Sequence, residues 1–137
     1  MADKLKDKEL ERSILELNMM NNKLQEMEQQ LQIIEKQIQE FQLTSIALQD
    51  LETTRLDNEV LSPIGQNIFV KSKLLDNNEV FVDIGSKIFA KKSIPEAQEI
   101  INKKFEDFVS VREKIVDQAQ MLAQEMMGIQ KDIQESQ

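Results

Sequence analysis

The stretch EVLSPIGQNIFVKSKLLDNNEVFVDIGSKIFAKKS, residues 59–93, decides the fold. Apolar and polar residues alternate along it. Ile68, Val70, Ser72 and Leu74 share one side of one segment, and Val80, Val82 and Ile84 share one side of the next. Period-two alternation rich in Val, Ile and Phe is the pattern of half-buried strands. The first strand opens near Val60, and Pro63-Ile64-Gly65 suits a bend or a sheet edge rather than a central strand. Residues 67–75 read as the second strand and Asp76-Asn77-Asn78 as a turn, because Asn and Asp tolerate left-handed backbone. Residues 79–84 form the third strand, Gly85-Ser86 turns again, and residues 87–91 form the fourth. An isolated pair of hairpins is marginal in water, so this β body is expected to complete its sheet with other subunits.

Everything outside that stretch is long, polar and helical. Between about Leu10 and Thr53 there is no Gly or Pro, and strong helix formers dominate. Met20, Leu24, Met27, Leu31, Ile34, Ile38, Phe41 and, past Ser45, Leu48 recur at alternating steps of four and three, the a/d rhythm of a coiled coil. Upstream, Leu10, Ile14 and Leu17 keep a similar rhythm, but the step from Leu17 to Met20 slips the phase by one, which predicts a local change of supercoil. Such a helix would be about 65–70 Å long. After the β stretch, Ser93-Ile94-Pro95-Glu96 is a helix start: Ser as N-cap, Glu three residues on, Pro in the first turn. The second helix carries Ile101, Phe105, Phe108, Arg112, Ile115, Ala119, Leu122, Met126, Ile129 and Ile133 at unbroken four-three spacing, with Arg112 the one polar residue among them.

Composition narrows the function. The chain has 137 residues with 17 basic and 25 acidic side chains, and no Cys or His. Disulfides, thiolate chemistry and imidazole-ligated metals are therefore excluded, and no metal or cofactor is implied. The acidic balance argues against nucleic acid, which needs a basic face to release counterions. The apolar runs are far too short to span a membrane and no signal peptide precedes the polar start, so a soluble, cytoplasmic protein is expected. Residues 14–56 carry three basic groups against seven acidic, and residues 94–137 five against nine, whereas the β segment balances at five each. The surplus sits on the helical arms, the usual meaning of which is a solvated face.

Two heptad helices joined by a compact body should pack as one antiparallel hairpin, with Thr54 level with Pro95. Phe41 then faces Phe108, Met27 faces Leu122, Met20 faces Ile129, and Asn21 meets Gly128 near the phase slip. Residues 1 to about 11 would overhang without a partner. This register exposes a division: every Phe lies in the β body or the nearby half of the coil, and every Met other than Met1 lies in the far half. Thioethers are flexible and suited to promiscuous contact. Met27 and Met121 could equally fill an irregular seam, but adjacent Met19 and Met20, like Met126 and Met127, cannot all face one narrow seam. A soft apolar tip on a long arm is a device for holding another chain.

At this point the sequence resembles the alpha-class subunit of prefoldin, the holdase chaperone of archaea and eukaryotes. The resemblance covers nearly the whole chain, as helix, two β-hairpins, helix. It rests on VLSPIG at 60–65, FVKSKL at 69–74, VFVDIG at 80–85 and the helix start at 93–97. Two hairpins between the arms separate the alpha class from the beta class, which has one. The family usually has a further Gly where Lys87 stands, and Tyr or Val where Phe89 stands. The absence of a long C-terminal extension is more like an archaeal subunit. The resemblance implies an α+β, mainly α fold: one prefoldin-like domain over 1–137, with a first coiled-coil helix to about 56, hairpins over 57–93 and a second helix over 94–137. It implies a hexamer of two alpha and four beta-class subunits whose hairpins build a β-barrel platform, with coiled coils hanging from it. It also implies that unfolded clients are gripped at the tips and handed, without ATP, to a group II chaperonin. Platform residues would be Val60, Ile64, Ile68, Val70, Val80, Val82, Ile84 and Ile88, with Gly65 and Gly85 shaping turns. Client-binding residues would be Leu10, Ile14, Leu17, Met19, Met20, Met126, Met127, Ile129 and Ile133.

A second class of function is a coiled-coil scaffold or adaptor that binds one defined folded partner, with Arg112 or Asn21 as the polar residue that sets register. An enzyme is the third class, and nothing supplies a nucleophile–base pair or a phosphate loop. Asp83, at a strand end before Gly85, reads as a turn-forming side chain rather than a catalytic one.

Overall fold

The computed structural model describes residues 2–135. Met1 and residues 136–137, the outermost ends of the expected helical segments, lie outside the described residues. The element order is α1 (Ala2–Thr53), β1 (Glu59–Gly65), β2 (Ile68–Lys73), β3 (Glu79–Gly85), β4 (Ile88–Ser93) and α2 (Ile94–Glu135). The strands form two separate two-stranded antiparallel ribbons, β1–β2 and β3–β4. Two compact units result: Gln39–Asp107 is one, and the residues up to Ile38 together with those from Phe108 onward are the other.

In the Gln39–Asp107 unit, the junction between β4 and α2 is the packing centre. Ser93 caps α2 as its sequence predicts: its Oγ accepts from the Glu96 backbone amide at 3.2 Å and donates to the Glu96 carboxylate at 2.9 Å. That cap drives Ile94 inward, where it is wholly buried against Leu48 and Ala97. Leu51, Val80, Val82 and Ile101 close around this cluster. The Ile94 amide donates to the Asn78 carbonyl at 3.0 Å, so the loop between the ribbons is tied to the same point. The far end of α1 is sealed without a glycine. Thr54 Oγ1 donates to the Asp50 carbonyl at 2.7 Å, and Asn77 Nδ2 donates to the Thr54 carbonyl at 3.0 Å. These bonds occupy carbonyls that every helix C-terminus leaves over.

The two helices run antiparallel within each unit; Met27 and Leu122 line one groove as expected, but in the Gln39–Asp107 unit the register differs from the expected one. Ile94 packs beside Leu48 and Leu51 rather than level with Thr54, and Ser45 Oγ donates to Gln98 Oε1 at 3.0 Å. The last turn of α1 runs on past the start of α2, because residues 54–58 are consumed by a turn with Asp57 at φ 61° before β1 begins. In the other unit, Lys6, Glu9 and Leu10 line a groove with Asp132, Ile133 and Glu135. Residues 6–10 are thus helical and flanked by α2, not a frayed overhang.

The predicted phase slip is also absent. The half-buried positions of α1 run 10, 13, 17, 20, 24, 27, 31, 34 without a break. Ser13 takes the seam position, and Ile14 is 46% exposed. A rigid helix carries the phase set by its strongest heptads into weaker ones, so the seam passes through a serine while the neighbouring isoleucine is left outside. Asn21 and Gly128 are both exposed, off the seam. In α2 every predicted seam residue from Ile101 to Ile133 is half-buried.

Candidate functional site

The β1–β2 ribbon is apolar on both faces and covered on neither. Its register pairs Val60 with Ser72, Ser62 with Val70, and Pro63 with Phe69. Residues directly opposite share a face. Val60 and Val70, with the two serine hydroxyls hydrogen-bonded between them, therefore lie on one face, and Leu61 and Phe69 on the other. All four apolar side chains are exposed, as are Ile64 and Ile68 at the turn. In β3–β4 the faces diverge. Val80 and Val82 turn toward the Ile94 cluster, whereas Phe81 (70% exposed) and Phe89 (61%) stand outward, with Ile84 and Ile88 exposed at the turn. Among the described residues, each ribbon also leaves both of its outer edges unpaired. Exposed apolar faces combined with open edges mark a surface built to be covered.

The predicted platform residues thus divide in two. Val60, Ile64, Ile68, Val70, Ile84 and Ile88 are exposed, while Val80 and Val82 are engaged in the chain's own core. Sequence reasoning missed Leu61, Phe69, Phe81 and Phe89. The signal was present: VL, IFV and VFV are continuous apolar runs, which denote strands apolar on both faces rather than half-buried ones.

The turns show how local conformation sets these faces. Gly85 has φ 119°, a region closed to side chains, and its amide donates to the Asp83 carboxylate at 2.9 Å. Asp83 is therefore a turn-former. Ser86 and Lys87 follow at φ 52° and 60°, so Lys87 belongs to the turn and not to the expected fourth strand. In the first ribbon Asn67 takes the left-handed conformation at φ 59°, and Gly65 does not. At the loop between the ribbons, the Asn78 amide donates to Asp76 Oδ1 at 2.8 Å and holds that carboxyl below the ordinary aspartate range.

In the unit formed by the two helix ends, the nine predicted client residues also divide. Leu10, Leu17, Met20, Met126, Ile129 and Ile133 occupy the coil's own seam, half-buried. Ile14, Met19 and Met127 are exposed, and so are Leu5, Leu15 and Met121, which the heptad reading passed over. Arg112, the polar seam residue, donates to Glu35 Oε1 of the facing helix at 3.1 Å. Among the described residues, no group of His, Cys, Asp and Glu could hold a metal ion, and no helix is long and apolar enough to cross a membrane.

Comparison with known proteins gives this arrangement a lineage. A chain of the cryo-EM structure of filamentous PFD from Methanocaldococcus jannaschii matches with a TM-score of 0.74, covering 82% of this chain and 93% of that one. At 18% identity, that likeness speaks to the fold. Comparison with curated proteins finds no match. The family model described as prefoldin subunit matches residues 20–137, which take in α1 from Met20 onward, both ribbons and α2. On that match, the chain belongs to the prefoldin family.

Proposed function

We propose that this chain is an alpha-class prefoldin subunit, a single prefoldin-like domain acting as an ATP-independent holdase in the cytoplasm. Its ribbons assemble with beta-class subunits, two alpha with four beta, and its helix ends hold unfolded polypeptide for delivery to a group II chaperonin. What carries the reading is the coexistence of two separate apolar surfaces. One is on β ribbons with open edges, and the other is on helix ends whose seam is already filled. The first suits permanent association, because a two-stranded ribbon gains stability only when covered. The second, made of Ile14, Leu15, Met19 and Met127 on a charged helical background, suits loose and varied contact.

The presence of two ribbons rather than one supports the alpha class. Of the two polar residues considered for a scaffold, Arg112 is paired with Glu35 of its own chain and Asn21 is exposed. Nothing in the turn around Asp83 favours an enzyme.

The test combines assembly and holding. The chain is reconstituted with a beta-class subunit, its mass is measured by light scattering, and suppression of aggregation of a denatured protein is measured without nucleotide. Trimming residues 1–20 and 124–137 should leave a hexamer that no longer holds clients. A hexamer indifferent to clients, trimmed or not, would overturn the proposal in favour of a scaffold.

A further inference from the structure

The unit formed by the helix ends holds three exposed methionines: Met19 at 64% exposed, Met121 at 64% and Met127 at 68%. Met20, Met27 and Met126 are half-buried in the seam. The two adjacent pairs, 19–20 and 126–127, each supply one residue to the seam and one to the outside. Met121 lines a groove together with Lys23, Met27 and Leu122. The chain has no cysteine, and these three are the most exposed sulfur-bearing side chains among the described residues.

We propose that Met19, Met121 and Met127 form a reversible oxidation site through which hydrogen peroxide lowers client holding while leaving the coil folded. The proposal rests on the reading that this unit holds clients. In the reaction, a sulfur lone pair attacks one peroxide oxygen, an S–O bond forms and the O–O bond breaks. The second oxygen leaves as water after taking up the proton of the first. Sulfur is oxidised by two electrons to the sulfoxide, and the peroxide is reduced. A sulfoxide is polar and accepts hydrogen bonds from water, so an apolar contact surface becomes a hydrated one. The seam methionines are half-buried, whereas the exposed three lie outside the seam positions. Methionine sulfoxide reductases reverse the change.

The test oxidises the full chain alone with hydrogen peroxide, removes the peroxide, and then adds an untreated beta-class subunit. Peptide mass spectrometry should find sulfoxide forming at Met19, Met121 and Met127 about threefold or more faster than at Met20, Met27 and Met126. Helical circular dichroism should be retained while aggregation suppression falls by about half or more. The combined variant Met19→Leu, Met121→Leu and Met127→Leu should hold clients equally before and after peroxide. Uniform oxidation of all six residues, loss of helicity in step with loss of holding, or an oxidised chain that holds clients normally would overturn the proposal. So would a leucine variant that still loses holding after peroxide. An untreated assembly that holds nothing would overturn the holdase reading, and this site with it.

Discussion

Ile94→Ala is the substitution to which the Gln39–Asp107 unit should respond most. Ile94 is the one side chain among the described residues with no solvent exposure, and it joins both helices to the β3–β4 ribbon. The change deletes three carbons, so at about 0.8 kcal/mol per buried methylene the transfer loss is about 2.4 kcal/mol. A cavity term adds to this, and buried Ile→Ala changes span roughly 2–5 kcal/mol according to how well the site collapses. Here Leu51, Val80, Val82 and Ile101 are only partly buried and can move inward. The expected cost is therefore in the lower half of that range, about 2.5–3.5 kcal/mol. Urea unfolding of the full chain, followed by circular dichroism at fixed protein concentration, measures it. Fixed concentration matters because self-association would make stability depend on it. Ile33→Ala is the control: Ile33 is 71% exposed, and its truncation should stay within about 0.5 kcal/mol of wild type. An Ile94→Ala protein within about 1 kcal/mol of wild type, or an equal loss from Ile33→Ala, would refute this account of the core.

Lys87→Gly should stabilise the β3–β4 ribbon. Left-handed backbone costs a non-glycine residue about 1–2 kcal/mol, and glycine gives back about 0.4–1 kcal/mol through its freer unfolded chain. A net gain of about 0.5–1 kcal/mol should appear as a higher urea midpoint at unchanged slope. Arg112→Leu should be neutral to stabilising, since a partly exposed Arg–Glu pair contributes only about 0.2–1 kcal/mol and leucine would complete the seam. A loss above about 2 kcal/mol would contradict that expectation. Asp76 should titrate below the ordinary aspartate value, because the Asn78 amide favours its charged form. A depressed carboxyl contributes stability that is present above its unfolded pKa and is lost as pH falls through the folded one. Carboxyl chemical shifts followed by NMR, together with amide exchange at Asn78, should show the loop loosening in acid, and an Asp76 midpoint at or above 3.8 would contradict this.

The elements were legible in the amino-acid chain, because each rests on local chemistry. The Ser93–Glu96 cap, the four-three spacing from Ile101 to Ile133, the Asp76–Asn78 turn and the period-two strands all depend on residues a few positions apart. Tertiary structure decided which face of each element is satisfied within the chain. Val80 and Phe81 are neighbours of equal strand propensity, yet one turns toward Ile94 and the other to solvent, since strand side chains alternate and only one face meets the helices. Ser13 in the seam and Ile14 outside it follow from the same cause: helix phase is fixed by the heptads packed along it, not by which local residue is more apolar. The helix register, with Ile94 beside Leu48, depends on how far residues 54–58 carry the chain, a length that only the folded turn defines.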